Sequence, residues 1–126
     1  ARKIYKGYVE RGLREKMAFK GVGMEYIRFA RQEPKLFQIL FMSENETEPG
    51  IVNVLPVIDE NYEKILSSVQ EPYHLNEEKA LKLYRHLWVY THGIASLCAT
   101  KVCVFSEDEI SAMMTEVFLS ILKTVR

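Results

Sequence analysis

The C-terminal segment has the clearest pattern of apolar and polar positions in the chain. Ser106 and Glu109 form a capping box, in which each side chain can pair with a backbone amide that the start of a helix leaves unpaired. The apolar residues after it recur at intervals of three and one, which predicts a helix whose apolar stripe is wide enough to face two neighbours. This stripe consists of Ile110, Met113, Met114, Val117, Phe118, Ile121, Leu122 and Val125.

A second long helix is predicted to begin after Asn76 and to run to about Thr100. Asn76 is a favourable N-cap residue, and two glutamates follow it in the first turn, where acidic side chains stabilise a helix. Residues 88–100 contain no Asp, Glu, Lys or Arg, and a helix that is apolar on all sides is expected to be covered on all sides. The small residues Gly93 and Ser96 would let another backbone approach closely.

Helical patterns also occupy the first half of the chain. One helix is predicted over 2–13, ending near Gly12, and a second over about 15–32. Pro34 fits the first turn of a third helix, because that position needs no amide hydrogen. Residues 43–50 are acidic and polar, and they predict an exposed connection.

A further helix carries Tyr62 and Ile65, and its start is ambiguous. Pro56 either opens this helix or kinks a longer one that begins near Ile51, and Pro72 ends it. No stretch alternates with the period of a β-strand over a useful length. The pattern therefore predicts an all-α fold, an antiparallel bundle of about six helices.

Length and composition fit one such bundle. The 126 residues are 48% hydrophobic and 27% charged, which suits a single packed domain over 1–126. Charges interrupt every apolar run, so neither a membrane span nor a signal peptide is expected. Two cysteines are too few for a disulfide framework, which favours the cytoplasm. The chain begins with Ala1 instead of methionine, as a processed chain or a piece of a longer one would.

The charge is balanced in total but not along the chain. Residues 1–20 carry seven basic and two acidic side chains, a net charge of +5, whereas residues 36–80 carry two basic and nine acidic ones, a net charge of −7. Such asymmetry marks either a functional pole or simply solvated helix faces.

Motifs for catalysis are not found in the sequence. His86 and His92 are six residues apart and face different sides of a helix, so they do not form a metal-ligand pair. Cys98 and Cys103 do not form a CxxC motif and are expected to be buried free cysteines. No phosphate-binding loop or nucleophile motif occurs. The sequence predicts no enzyme, no metal and no cofactor.

Aromatic residues are abundant in helices that must pack together. Trp88 and His92 lie at i and i+4, so their rings share one face of a helix and can form one wall of a pocket. Two interpretations stay open for the aromatic side chains: ordinary core packing, or a cavity with a few polar tips, as in small-molecule sites. His92 is correspondingly either a core histidine or a ligand contact.

Two segments resemble a known family. Residues 87–97 read Leu-Trp-Val-Tyr-Thr-His-Gly-Ile-Ala-Ser-Leu, and residues 23–42 read Gly-Met-Glu-Tyr-Ile-Arg-Phe-Ala-Arg-Gln-Glu-Pro-Lys-Leu-Phe-Gln-Ile-Leu-Phe-Met. In this order and spacing, with the capped last helix, they resemble the C-terminal effector-binding and dimerisation domain of TetR/AcrR-type transcriptional regulators, in the subgroup with a Trp…His-Gly signature. The resemblance covers nearly the whole chain.

The resemblance implies a ligand-sensing body without its DNA-binding head. Regulators of this family begin with a helix-turn-helix head, and residues 1–14 resemble the end of the helix that joins head to body, followed by the body over 15–126. The resemblance therefore implies a truncated regulator that binds DNA only through the missing head. Ligand binding would change the operator affinity of that head by shifting a conformational equilibrium.

The resemblance also implies a homodimer and a small, largely apolar effector of unknown identity. The last two helices of each subunit would form a four-helix bundle across a two-fold axis. The residues expected at that interface are Gly93, Ser96, Thr100, Met113, Val117 and Ile121. The residues expected to line the ligand pocket are Tyr26, Phe29, Phe37, Phe41, Tyr62, Trp88 and His92.

Two other functions compete with this interpretation. A structural or protein-interaction bundle would have a filled core, whereas a ligand site calls for an enclosed space of about 300 Å³ or more. Nucleic-acid binding by the basic N-terminal segment alone would give a DNA affinity that depends steeply on salt, and we expect no such affinity.

Overall fold

The computed structural model describes residues 2–126, without the side chains of Val52 and Ile58; Ala1, which the sequence assigns to the joining helix, lies outside the described residues. Within residues 2–126 the chain forms seven α-helices and no β-strand, which confirms the all-α prediction. The helices are α1 (Arg2–Leu13), α2 (Ala18–Gln32), α3 (Pro34–Phe41), α4 (Ile51–Ile58), α5 (Tyr62–Gln70), α6 (Glu77–Ala99) and α7 (Glu107–Val125).

The predicted helix starts are confirmed by their hydrogen bonds. The Asn76 side chain accepts a bond of 2.8 Å from the Lys79 amide at the start of α6. At the start of α7, Ser106 Oγ accepts from the Glu109 amide at 3.1 Å, and Glu109 Oε1 accepts from the Ser106 amide at 3.0 Å. Pro34 opens α3. Local chemistry therefore sets these boundaries.

The turn between α1 and α2 is longer than predicted. Residues 14–17 are not helical, so α2 begins at Ala18 instead of near residue 15. The reason is a close approach of the two backbones: a Cβ atom at Gly12 would lie 2.6 Å from the carbonyl oxygen of Gly21. Residues 14–17 form the turn that reverses the chain, so that α2 can run back alongside α1 with Gly12 against Gly21.

Neither alternative for Pro56 fully describes the structure. A helix does begin at Ile51 and contains Pro56, but it ends at Ile58, and a separate helix begins at Tyr62. The break falls at residues 59–61, where the Asp59 side chain accepts a hydrogen bond from the Asn61 amide. This additional helix explains why the chain has seven described helices and not about six.

Helices α2 and α6 form the centre of the bundle. Helix α2 packs against α1, α3, α5, α6 and α7, and α6 packs against α2, α3, α4, α5 and α7. The largest fully buried side chains come from these helices and their neighbours: Val9, Ile27, Phe29, Phe37, Leu55, Val69, Leu83 and Ile110. No stretch of the described helices has both the length and the apolar composition of a membrane span.

Candidate functional site

An aromatic cluster fills the space between α1, α2, α3 and α6. We use this name for Tyr5, Tyr8, Tyr26, Phe29, Phe37, Phe41, Trp88 and His92. The ring centroids of Tyr5 and Phe41 are 4.8 Å apart and those of Tyr26 and Phe37 are 5.4 Å apart, both in edge-to-face arrangements. Such contacts stabilise a pair beyond the burial of its surface. The cluster therefore fixes α1 and α3 against the central helices.

His92 lies at the α6 side of this cluster. Its ring stacks on Trp88, with the centroids 4.8 Å apart and the planes 14° from parallel, which confirms that the two residues share a face of α6. The Nδ1 atom of His92 is 2.8 Å from the Tyr26 hydroxyl. Burial lowers the pKa of His92, so the imidazole is neutral at pH 7. A neutral ring can accept the hydrogen bond that Tyr26 donates.

A small cavity lies beside the aromatic cluster and has a volume of about 40 Å³. Its walls come from α1, α2, α5, α6 and α7, with Leu55 and Asp59 from α4 and the break after it. The lining residues are Tyr5, Phe19, Val22, Gly23, Tyr26, Leu55, Asp59, Ile65, Tyr84, Leu87, Trp88, Thr91 and Met114. This volume holds a water molecule or two and is far below that of a drug-sized ligand site. In this conformation this cavity is therefore too small for a ligand, as a filled core would be.

The predicted pocket residues are divided between the cavity and its surroundings. Tyr26 and Trp88 line the cavity. The other four members of the aromatic cluster that were predicted to line the pocket pack behind its wall: Phe29, Phe37, Phe41 and His92. Tyr62 is half-buried and stacks on Tyr84, a lining residue, with the ring centroids 5.6 Å apart. Two of the seven predicted residues therefore line this cavity and the other five lie around it, and their role in binding a ligand stays a prediction.

Asp59 is the charged residue of this site, and sequence reasoning missed it. It is only 5% exposed, and its two carboxylate oxygens accept hydrogen bonds from the Tyr5 hydroxyl at 2.6 Å and from the Asn61 amide at 3.0 Å. Burial raises the pKa of Asp59, and the two donors counteract this effect. Burial also raises the pKa of Tyr5, so its hydroxyl is the donor.

A larger cleft opens at the surface next to this cavity. It has a volume of about 440 Å³ and is lined by Arg2, Tyr5, Lys6, Pro56, Val57, Asp59 and Glu60. Lys6 and Glu60 form an exposed ion pair of 3.6 Å at this cleft. Tyr5 and Asp59 line both spaces. The hydrogen bond between them therefore forms part of the partition between the surface cleft and the interior.

The outer face of α6 is apolar, and within the single chain it is uncovered, so the predicted covering of this helix on all sides would need a second chain. Val89 is 54% exposed, Leu97 is 37% exposed, and a Cβ atom at Gly93 would meet no atom within 4 Å. A depression of about 460 Å³ runs from α6 to α7 and is lined in part by Val89, Tyr90, Val117 and Ile121. Within the described chain, nothing packs on this face.

The residues predicted for the dimer interface lie along these two helices. Gly93 and Thr100 are exposed, and four residues are half-buried: Ser96, Met113, Val117 and Ile121. The small residues of α6 thus leave an accessible strip of backbone beside the wide apolar stripe of α7.

Other candidate chemistry is limited. Among the described residues, no group of three or more His, Cys, Asp and Glu side chains is placed to hold a metal ion. Cys98 and Cys103 are free, and both are half-buried instead of fully buried as predicted. Burial raises the pKa of Cys98, which makes the thiol less reactive.

Comparison with protein families gives one match. The model for the tetracyclin repressor-like C-terminal domain matches residues 19–118. The match runs from the start of α2 into α7 and contains every residue that lines the small cavity except Tyr5. Comparisons with curated proteins and with solved structures find no match.

Proposed function

The chain belongs to the family of tetracyclin repressor-like C-terminal domains, and on that premise we propose that it is the ligand-sensing and dimerisation body of a cytoplasmic transcriptional regulator. The family is one of regulatory domains, not of enzymes. In this proposal the domain acts on DNA only through a helix-turn-helix head outside these 126 residues. It binds a small, largely apolar effector and shifts the operator affinity of that head.

The observation that supports a ligand site is the thin partition between the interior cavity and the surface cleft. A ligand that separates Tyr5 from Asp59 joins the two spaces, whose volumes are about 40 and 440 Å³. Among the described side chains of α4, which borders both spaces, only Leu55 is buried, and Val57 is 72% exposed. In this proposal α4 moves outward, which among its described side chains uncovers Leu55 and the half-buried Ile51 and Val54, and the cavity widens.

The contacts of α1 supply a route from this site to the head. Tyr5 bonds to Asp59 and Tyr8 bonds to Gln32, so the start of α1 is tied to the body on two sides. Further along α1, Arg11 pairs with the buried Glu25 at 3.2 Å. A ligand that displaces Tyr5 binds more tightly when α1 has moved away from Asp59. It therefore favours that position of α1, and such a difference in affinity between two conformations is what couples a ligand to a distant site.

The same network reaches the helices proposed for dimerisation. Glu25 also pairs with Arg28, and Arg28 bonds to Glu107 at the start of α7 at 2.9 Å. Ion pairs thus connect α1, α2 and α7. We place the homodimer interface on the uncovered apolar faces of α6 and α7, because an isologous contact buries both at once.

The ligand proposal is tested by a thermal-shift screen with aromatic and lipophilic compounds. A ligand at 100 times its Kd should raise the free energy of unfolding by about 2.7 kcal/mol, and the melting temperature by roughly 10 °C. Trp88 is the only tryptophan in the chain and lines the cavity, so its fluorescence should change with the same compounds. If no compound changes either signal, the ligand proposal fails.

A structural bundle is the second candidate, because the volume of the cavity supports it. With about 40 Å³ inside, such a bundle would stay closed to every compound. It would also show no loosening of α4. Hydrogen exchange of α4 amides distinguishes the two: the ligand-sensing body should exchange faster in α4 than in α2 and slow down when a ligand binds.

A further inference from the structure

We propose that the interior cavity, once joined to the surface cleft, accepts an organic cation, a protonated amine on an aromatic or aliphatic body, whose ammonium group is bound by the Asp59 carboxylate. The inference rests on the proposed function, since it names the ligand class of the same cavity. It is carried by the placement of a buried carboxylate in an aromatic wall.

The charges around the cavity favour a cation. Of the described residues that line it, Asp59 alone is a carboxylate, and no Lys, Arg or His is among them. Arg2 and Lys6 line the surface cleft and not the cavity: the charge of Arg2 acts to lower the pKa of Asp59 from the cleft side, and Lys6 is paired with Glu60. A buried carboxylate is costly unless it is paired. A ligand ammonium would supply inside the cavity the positive charge that its lining lacks.

Asp59 keeps the capacity to bind such a group. A carboxylate can accept about four hydrogen bonds, and Asp59 accepts one from Tyr5 and one from the Asn61 amide. An ammonium group donates up to three. It can take the place of the Tyr5 hydroxyl and still leave the bond from Asn61 intact.

The aromatic walls suit the same ligand. Tyr26, Tyr84 and Trp88 line the cavity with Asp59. The face of an aromatic ring attracts a cation within about 6 Å, and tryptophan does so most strongly. The remaining walls are largely aliphatic, so the body of the ligand would be apolar.

The position of Asp59 also defines the entrance. Because Tyr5 and Asp59 separate the cavity from the surface cleft, a cation that enters from the cleft meets Asp59 first. The cleft itself is lined by two basic and two acidic side chains, so the preference for a cation would arise at Asp59.

Three isosteric probes test the charge preference on the whole chain: 3-phenylpropylammonium, 3-phenylpropanol and 3-phenylpropionate. We expect the ammonium to bind at least about tenfold more tightly than the alcohol, which is the gain in affinity that a hydrogen bond between charged groups typically gives. The carboxylate should bind most weakly. Trp88 fluorescence reports binding, and the thermal shift gives an independent reading.

Three variants test whether Asp59 is the residue that binds the ammonium group. D59N removes the charge and keeps the shape, so it should weaken ammonium binding by at least about tenfold and leave the alcohol unchanged. E60Q removes an adjacent, exposed charge that lines only the cleft, and it should leave both affinities within about twofold, as expected for a screened surface charge. Y5F frees the Asp59 oxygen that Tyr5 occupies and should strengthen ammonium binding.

If D59N does not fold, Y5F still tests the inference, because it leaves the Asp59 carboxylate in place and removes the hydroxyl that competes for it. Equal binding of the ammonium and the alcohol, or an ammonium affinity unaltered in D59N or Y5F, would overturn the cation inference and leave the ligand proposal standing. The same holds if the compound screen finds only neutral or anionic ligands. If neither the probes nor any screened compound binds, both the cation inference and the proposed ligand-sensing function fail.

Discussion

The burial of His92 makes a prediction about pH. Because burial lowers its pKa below 6.5, the unfolded chain binds the proton more readily than the folded chain in the range between the two values. The free energy of unfolding should therefore fall as the pH drops below 6.5 and level off once the folded protein is also protonated. Denaturant titrations from neutral pH down to about 5 would measure this change.

Two glutamine variants separate this effect from other titrations. H92Q removes the buried imidazole and keeps a polar partner for Tyr26, so the fall in stability between neutral pH and about 5 should become smaller. H86Q makes the same substitution at an exposed histidine of the same helix and serves as the matched control. Identical profiles for H92Q and the unaltered chain would contradict the assignment.

The number of residues that separate two contacting side chains in the sequence decides whether their contact could be predicted. Trp88 and His92 are four residues apart on one helix, so their shared face follows from helix geometry alone. Asp59 meets Tyr5 across 54 positions, and no local pattern records that pairing. Asp59 follows an apolar helix directly, where an aspartate is expected to end or begin an element, and this local role hid its place in the cavity.

At the scale of the helices, the contact between α1 and α2 depends on glycine. A Cβ atom at Gly12 would lie 2.6 Å from backbone atoms of Gly21 and Val22, and backbone cannot move aside as a flexible side chain can. G12A should therefore lower the free energy of unfolding by about 1–3 kcal/mol, the usual cost of overpacking, or more. Denaturant titration of the variant measures this loss.

Gly7 provides a control on the same helix. A Cβ atom there would meet only the end of the Arg11 side chain, at 3.9 Å. Since alanine favours a helix over glycine, G7A should raise stability by up to about 1 kcal/mol. A G12A variant as stable as G7A would show that the two helices do not depend on this close approach.

Helix boundaries were predictable where one residue and its near neighbours determine them. Asn76, Ser106 and Pro34 open their helices as predicted, because the first two accept bonds from amides of the first turn and Pro34 stands where no amide hydrogen is needed. The break at residues 59–61 was not predictable in this way. The break contains a hydrogen bond that the Asn61 amide donates to the Asp59 carboxylate, and Asp59 is also buried against Tyr5, a contact that spans 54 positions and that no local pattern records.

For the whole molecule, the balance between buried and exposed apolar surface bears on assembly. Residues 88–100 carry no charge, yet Val89, Gly93 and Leu97 remain exposed on α6. A charge-free exposed face of this kind is characteristic of a surface that another protein covers. Because the apolar stripe of α7 lies beside it, a second copy of this chain can cover both helices through one two-fold contact.

A matched pair of substitutions tests this dimer. Val89 is 54% exposed and Leu119 is 56% exposed, so each accepts glutamate with a similar change in the surface of the single chain. Val89 lines the depression between α6 and α7, whereas Leu119 lies about 200° around α7 from Val117 and faces a groove beside α2 and α5. V89E should therefore bring two like charges together near the dimer axis, and L119E should not.

Sedimentation equilibrium at micromolar concentration gives the outcome. The unaltered chain and L119E should sediment at twice the chain mass of 14.7 kDa, and V89E should sediment as the single chain. Circular dichroism of V89E should still show a folded helical bundle, because the substituted side chain is not part of the core. An unaltered chain that sediments at 14.7 kDa, or equal masses for the two variants, would mean that this face is not where two copies meet, and the uncovered side of α6 would then require a different protein as its partner.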